Sequence, residues 1–261
     1  MSDFWKQVNK LRDAKRISTR QIVDGLFTEF LELKGDRIEV DDQSILTGIA
    51  KFNGVPVTVI GTQRDGNITE LIQRNFGAVK SAGYRKATRQ IKLAEKFNRP
   101  IILFINTPGA DATLESENKN IARFIAETMM ALGQVKVPTV SVVIGEAYSG
   151  GALALANTNQ ILMLSDTLFN VASPEAVNSI LKLDKQSTES ISYQIQTADK
   201  LYELGLIDQI IIQDDNLDKQ LSSIDASLKI ALEQIDGNNL IEQRIDKQTN
   251  FINQWWKNVK N

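Results

Sequence analysis

Two continuous apolar runs in the middle of the chain constrain its fold more than any other feature. They are PIILFINT, residues 100–107, and VPTVSVVIG, residues 137–145. A strand that reads as an unbroken apolar run is covered on both faces, which is typical of a parallel sheet with helices on either side. Residues 115–134, between the two runs, have a helical pattern. This alternation predicts an α/β core built from βαβ units.

The flanking segments extend the pattern. Ser18 or Thr19 is placed to cap a helix whose apolar positions continue at helical spacing to residue 33, with Gly35 past its end. Asn53-Gly54 lies between two β-rich runs and predicts a tight hairpin over residues 44–61. Further helices are expected over residues 83–98, 149–156, 173–181 and 197–205, and strands over 160–166 and 206–213. The tail from residue 215 predicts one or two surface helices, joined near residues 236–237.

The composition excludes several kinds of chemistry. The 261 residues include no cysteine and no histidine, so this chain alone forms neither a disulfide nor a Ser-His-Asp triad and lacks the favoured zinc ligands. A formal charge of −2 argues against general binding to nucleic acid. We expect no membrane span and a cytoplasmic location, because no apolar run reaches about 18 residues and the N-terminus lacks a signal core.

Two strand ends carry the residues best suited to chemistry. The first strand ends in FINTPGAD, with Pro108-Gly109-Ala110, and the second runs through VVIGEAYSGGALA into a helix. Small residues let a ligand approach the backbone, and free N–H groups at a helix start attract negative charge. Two such turns at the carboxyl ends of adjacent strands predict a site for an oxyanion. The alternative is that the small residues only permit close helix packing.

The order of several motifs gives a specific resemblance over residues 27–212. The motifs are FLELKGDR, DDQSILTGIAKFNGVPVTVIG, RNFG, GYRKATRQIKLAEKFNRPIILFINTPGA, VIGEAYSGGALA, SPEAVNSIL and LGLIDQII. In this order they resemble the carboxyltransferase alpha subunit of bacterial acetyl-CoA carboxylase, a member of the crotonase-like superfamily. The resemblance implies a ClpP/crotonase ββα-superhelix core with N- and C-terminal helices. We expect a single carboxyltransferase-type domain over residues 1–261, with its core at 27–212, a helical arm at 1–34 and a helical tail at 215–261.

The resemblance also implies an activity and partners. Members of this family transfer a carboxyl group from carboxybiotin, held on a biotin carrier protein, to acetyl-CoA and form malonyl-CoA for fatty acid biosynthesis. The alpha subunit supplies the biotin side of the site, while a beta subunit supplies the acetyl-CoA side and carries zinc. The expected assembly is an alpha2beta2 heterotetramer that works with biotin carboxylase. No metal and no covalent cofactor are expected on this chain.

For this reaction, backbone donors are the expected catalytic groups. We predict that the amides of Gly109, Ala110, Ala147 and Tyr148 stabilise the developing oxyanions, each donor contributing about 3 kcal/mol. The helix start at Gly150 and Gly151, and the side chain of Arg64, are predicted to bind substrate. Tyr84, Arg85 and Lys86 form a second candidate group for a phosphate or carboxylate, or else a solvated helix face.

The turns also depart from the family pattern and leave two alternatives open. Alpha subunits usually read GEGGSGGA where this chain reads GEAYSGGA, the segment after the first turn is shorter, and only Arg64 remains of a basic pair. One alternative is a catalytically impaired paralogue that acts as a scaffold or regulatory subunit. The other is a stand-alone crotonase-like acyl-CoA hydratase, isomerase or thioester hydrolase, which would need an acid or base such as Glu146. In the tail, Trp255 and Trp256 are expected to dock a helix or contact a partner.

Overall fold

The core of the chain is one mixed β-sheet. The computed structural model describes residues 3–13, 15–185, 187–189 and 197–260, so residues 1, 2 and 14 of the predicted arm, residues 186 and 190–196 of the predicted core and residue 261 of the predicted tail lie outside the described residues. The strands are β1 (Thr28–Glu32), β2 (Ile45–Phe52), β3 (Val55–Thr62), β4 (Ile101–Thr107), β5 (Thr139–Tyr148), β6 (Gln160–Leu164), β7 (Leu168–Asn170) and β8 (Gln209–Ile211).

The strand order is β1-β2-β3-β4-β5-β6-β8, and β7 pairs with the end of β5. β1, β2 and β3 are antiparallel, whereas the pairs from β3 through to β8 are parallel. β5 is buried along its whole length, as its unbroken apolar sequence predicts for a strand covered on both faces. The predicted α/β core is therefore confirmed.

Helices cover both faces of the sheet. They are α1 (Asp3–Leu11), α2 (Thr19–Leu26), α3 (Ile68–Gln73), α4 (Ser81–Lys96), α5 (Leu114–Asn118), α6 (Ile121–Gln134), α7 (Ser149–Ala156), α8 (Pro174–Ile180), α9 (Ala198–Glu203), α10 (Leu217–Gln234) and α11 (Leu240–Lys260). α4, α6 and α7 enclose one apolar cluster with one face of the central strands, and α2 and α10 enclose a second cluster with the other face. Within the part of the chain that is described, no helix has the length and apolar character of a membrane span.

Several local signals in the sequence act as predicted. Asn53 and Gly54 have φ angles of 47° and 79°, the positive values that the two central residues of a tight hairpin turn require. The side chain of Ser18 accepts a hydrogen bond from the amide of Gln21 and caps α2. Ser173 caps α8 in the same way, with Pro174 as its first residue. The tail forms two helices, α10 and α11, with the break at the predicted place.

Two helix predictions were wrong in extent. The N-terminal arm is not helical to residue 34, because α2 ends at Leu26 and Thr28–Glu32 pairs with β2 as an edge strand. Phe27 adopts an extended conformation there and packs against the rings of Phe52 and Phe104, so tertiary contacts override the local helical spacing. The predicted helix over residues 115–134 is divided into α5 and α6, because Asn120 takes a left-handed conformation between them.

Candidate active site

The turns that follow β4 and β5 lie in direct contact. The two strands are parallel neighbours, with Thr107 opposite Ala147, so both turns emerge at the same edge of the sheet. Gly151, in the first turn of α7, shows how close they are. A Cβ atom on Gly151 would lie 2.6 Å from the amide nitrogen of Ala110 and 3.1 Å from the carbonyl carbon of Gly109. The predicted pairing of the two turns is therefore present.

The first turn is organised by the buried hydroxyl of Thr107. Its Oγ1 lies 2.7 Å from the carbonyl oxygen of Gly77 and accepts a 3.1 Å hydrogen bond from the amide of Gly109. The Gly109 amide, a predicted oxyanion donor, thus donates its hydrogen bond within the chain and does not point one at a substrate. The Ala110 amide has no hydrogen-bond acceptor among the described residues, and its role as an oxyanion donor stays a prediction.

The strand β5 extends further than the sequence predicted, up to the predicted helix start at Ser149. Ala147 and Tyr148 are residues of β5 and lie opposite Phe169 and Asn170 of β7, so they belong to the sheet and not to the turn. The helix α7 starts at Ser149, and Tyr148 provides no side-chain cap. An α-helix leaves its first N–H groups without intrahelical partners. The amides without intrahelical partners are therefore those at the start of α7, and not those of the predicted donors Ala147 and Tyr148.

The side chain of Tyr148 points away from α7. Successive residues of a strand face opposite sides of a sheet. Ala147 joins the apolar cluster beneath α7, while the ring of Tyr148 is buried on the other side against Trp5, Val8 and Leu168. The tyrosine that replaces a family glycine therefore does not obstruct the start of α7.

Glu146 is a fully buried acid held by two arginines. One carboxylate oxygen accepts a 2.7 Å hydrogen bond from Arg12, and the other accepts a hydrogen bond from Arg64. Arg12 also pairs with Glu175 at the start of α8, at 2.6 Å. Burial raises the pKa of the Tyr148 phenol next to Glu146, and the charge of that carboxylate raises it further. Arg64, predicted to bind substrate, thus serves this ion-pair network, which ties α1 and α8 to the end of β5.

Arg85 and Lys86 also bond within the chain. Arg85 pairs with Asp36 at 2.6 Å and with Glu39 at 3.0 Å, while Lys86 is buried and pairs with Asp41 at 2.6 Å. These contacts hold the loop before β2 against α4. The structure therefore supports neither alternative proposed for these two cations, because they are neither open to a substrate nor fully solvated.

Tyr84 differs from its two neighbours on α4, because its hydroxyl points towards the paired turns. The side chain is fully buried, and its hydroxyl has no hydrogen-bond partner among the described residues. A Cβ atom on Gly151 would lie 2.5 Å from this oxygen. Burial raises the pKa of Tyr84, and the charge of Asp42 adds to the effect, so the hydroxyl stays protonated. The hydroxyl of Tyr84 therefore packs against Gly151 in the first turn of α7.

The start of α7 opens into a largely apolar cavity of about 470 Å3. This volume lies within the range that is typical of small-molecule sites. Ser149 and Gly150 form its polar end, and Asn170 is the other polar residue of the lining. The remaining lining residues are apolar: Leu153, Phe169, Val171, Leu201, Leu206, Phe251 and Trp255. Sequence reasoning missed this cavity, because its wall comes from segments far apart in the chain.

The described residues near these turns do not form a cluster of metal ligands. Across the described ranges, no three residues of the types His, Cys, Asp and Glu are grouped in a way that would hold a metal ion. The described residues that line the cavity offer a ligand backbone amides at the α7 start, the polar side chains of Ser149 and Asn170, and apolar side chains. Such a site can bind an oxygen that carries negative charge and an uncharged body attached to it.

Solved structures of carboxyltransferases and decarboxylases share this fold. The Pseudomonas malonate decarboxylase MdcD-MdcE hetero-dimer superposes with a TM-score of 0.67 at 16% identity, over 83% of this chain and 91% of that one. A transcarboxylase 12S structure with hydrolysed methylmalonyl-coenzyme A bound gives a TM-score of 0.64 at 20% identity, over 84% of this chain but 42% of that one. These likenesses establish the crotonase-like fold that the sequence predicted.

Sequence relatives are closer. The family described as "Acetyl co-enzyme A carboxylase carboxyltransferase-like" matches residues 2–252. The acetyl-coenzyme A carboxylase carboxyl transferase subunit alpha of Geobacillus sp. (strain WCH70) is 43% identical over 93% of this chain and 78% of its own length. The subunit of the same name from Clostridium acetobutylicum is 38% identical over 98% of this chain and 96% of its own length. The chain therefore belongs to the family of acetyl-CoA carboxylase carboxyltransferase alpha subunits.

Proposed function

We propose that this chain is the alpha subunit of an acetyl-CoA carboxylase carboxyltransferase, which moves a carboxyl group from carboxybiotin to acetyl-CoA to give malonyl-CoA. The observation that carries the proposal is the contact between the two turns. It places the amide of Ala110 against the first turn of α7, whose residues Ser149 and Gly150 line an apolar cavity. This arrangement fits a donor that has a polar ureido group on an apolar ring.

The chemistry requires stabilised oxyanions more than a side-chain base. Carboxybiotin supplies the carboxyl group as CO₂ and then a basic ureido nitrogen that takes the methyl proton of acetyl-CoA. The chain's own amides oppose the negative charge that develops on oxygen, and one such donor is typically worth about 3 kcal/mol. The paired turns hold these donors in place before the reaction, so no reorganisation is needed during it.

The remaining parts of the reaction are assigned to partners. The described residues that line the cavity include no lysine or arginine, which a bound CoA would use to hold its phosphates. We therefore assign acetyl-CoA and the zinc site to a beta subunit, and carboxybiotin to a biotin carrier protein charged by biotin carboxylase. The proposed assembly is alpha2beta2.

The acid considered for the rival activities, Glu146, is not accessible. A stand-alone hydratase, isomerase or hydrolase would need an acid or base such as Glu146 to exchange protons with a substrate, but Glu146 is fully buried and bonded to Arg12 and Arg64. A scaffold role predicts an obstructed second turn, whereas the Tyr148 ring lies on the other face of the sheet. Neither rival has an observation in its favour.

The test is reconstitution with a matching beta subunit. Malonyl-CoA-dependent carboxylation of free biotin by the mixed subunits should proceed, and neither subunit alone should support it. A stable complex that gives no carboxybiotin would refute the catalytic proposal in favour of a scaffold. Hydration or hydrolysis of crotonyl-CoA by the purified alpha chain would also refute it.

A further inference from the structure

The last helix of the chain forms one wall of the cavity at the α7 start. Phe251 is partly buried and Trp255 is 37% exposed, and both line this cavity opposite Ser149 and Gly150. The two aromatic residues are four positions apart, so they project from the same face of α11. Neither residue belongs to the strand-end motifs that carry the family resemblance.

This wall is fixed by contacts outside the cavity. Arg244, one turn from the start of α11, is buried and donates to the carbonyl oxygen of Gly133 at 3.1 Å and to Oδ1 of Asn159 at 2.6 Å. Lys247 pairs with Asp208 near the start of β8. Lys247, Phe251 and Trp255 follow one another at intervals of four residues along one face. The contacts of Arg244 and Lys247 therefore fix the position of Phe251 and Trp255 beside the cavity.

The distribution of polar groups indicates what the cavity accepts. Among the described residues no charged side chain lines it, and its polar groups are the amides at the α7 start and the side chains of Ser149 and Asn170. Such a lining suits an uncharged ring system that presents an oxygen to the amides and its apolar edge to the aromatic wall. A CoA molecule is a poor match, since nothing in the lining neutralises its phosphates.

We propose that Phe251 and Trp255 bind the bicyclic ring of the biotin carboxyl donor and make the alpha chain selective for it. This proposal rests on the proposed function, because it assumes that the carboxyl donor enters at the paired turns. It assigns a specificity role to the C-terminal helix, with Trp255 at the rim and Phe251 one turn deeper. Trp255 contributes chiefly to ring binding, so its loss should change KM for biotin more than kcat.

The experiment uses the reconstituted complex of alpha and beta subunits with free biotin as the probe. Trp255→Ala should raise KM for biotin about tenfold in malonyl-CoA-dependent carboxylation. KM for malonyl-CoA should stay unchanged, and Trp255→Phe should recover most of the biotin affinity. The matched control is Trp256→Ala, the neighbouring tryptophan, which is 53% exposed and does not line the cavity. Its KM for biotin should remain at the wild-type value.

A second readout separates this proposal from the proposed function. Biotin titrated into the complex should change the intrinsic tryptophan fluorescence, and Trp255→Ala should abolish the change while Trp256→Ala keeps it. Ring binding at Trp255 without carboxyl transfer would refute the proposed function but support the aromatic wall. Equal KM values for biotin in Trp255→Ala and Trp256→Ala would refute the proposal that Trp255 binds the biotin ring. So would a rise in KM for malonyl-CoA alone, which would identify the occupant as the thioester, or loss of the alpha–beta complex in Trp255→Ala, which would identify a partner surface.

Discussion

Gly151 offers the sharpest test of the paired turns, because an alanine there has no room. Its Cβ would lie 2.5 Å from the hydroxyl oxygen of Tyr84 and 2.6 Å from the amide nitrogen of Ala110. Ordinary van der Waals contact of a Cβ begins at 3.4 Å, so the two turns would have to separate by about 0.8 Å. Forced overpacking of this kind typically costs about 1–3 kcal/mol.

The catalytic effect should exceed the effect on stability. A misplacement of about 1 Å in a positioned catalytic group can reduce a rate about 100-fold. Gly151→Ala should therefore lower kcat for biotin carboxylation by roughly that factor and lower the free energy of unfolding by about 1–3 kcal/mol. Chemical denaturation of the alpha chain and steady-state kinetics of the reconstituted complex measure the two effects.

The adjacent glycine is the matched control for stability. A Cβ on Gly150 would meet only Cγ2 of Ile125, at an ordinary distance of 3.6 Å. Gly150→Ala should keep or slightly raise the free energy of unfolding, since alanine favours a helix over glycine by up to about 1 kcal/mol. Adding Tyr84→Phe to Gly151→Ala should restore only part of the loss, because the contact with the backbone of Ala110 remains. Wild-type stability and rate in Gly151→Ala would refute the claim that the turns converge there.

Three further substitutions test the groups around these turns. Thr107→Val should lower the free energy of unfolding by about 1–3 kcal/mol and reduce turnover, because it leaves the Gly109 amide without its acceptor, while Thr107→Ser should behave like wild type in both assays. Tyr84→Phe should raise the thermal unfolding temperature, because it removes a buried hydroxyl that has no partner within the described part of the chain; a fall would show that the hydroxyl is bonded in solution. Glu146→Gln should destabilise the chain by about 3 kcal/mol in denaturant, because it leaves two arginines without their shared carboxylate, and a loss below 1 kcal/mol would argue against the network.

The sheet and most of the helices could be predicted, because their signals are local. The apolar runs of β4 and β5 are continuous, and caps such as Ser18 and Ser173 act within one turn. The errors came where distant contacts decide the conformation. β1 has helical spacing but pairs with β2, and Asn120 breaks a helical pattern by taking a left-handed conformation.

The site could be predicted only in part, for the same reason. The strand ends identified the right edge of the sheet, but which amides are open depends on hydrogen bonds that have no local signature. Gly109 is removed from the donor set by the hydroxyl of Thr107, and the second turn begins at Ser149 and not at Ala147. Trp255 reaches the cavity from a helix about 100 residues after Ser149. The only signal of it in the sequence was the dipeptide Trp255-Trp256 in a polar tail.

The change from the family's GEGGSGGA to GEAYSGGA is explained by the position of Tyr148. Residue 148 is the last residue of β5, so a Cβ is acceptable there, and its ring fills a buried site beside Trp5 and Leu168. Tyr148→Ala should therefore lower the free energy of unfolding by about 3–5 kcal/mol, as other buried aromatic deletions do, while kcat per folded complex changes little. Tyr148→Phe keeps the ring and should lose far less. Denaturation curves and kcat, measured on the same variants, test whether the ring contributes to stability or to catalysis. A Tyr148→Ala chain of normal stability but low kcat would show that the ring contacts the substrate and does not stabilise the fold.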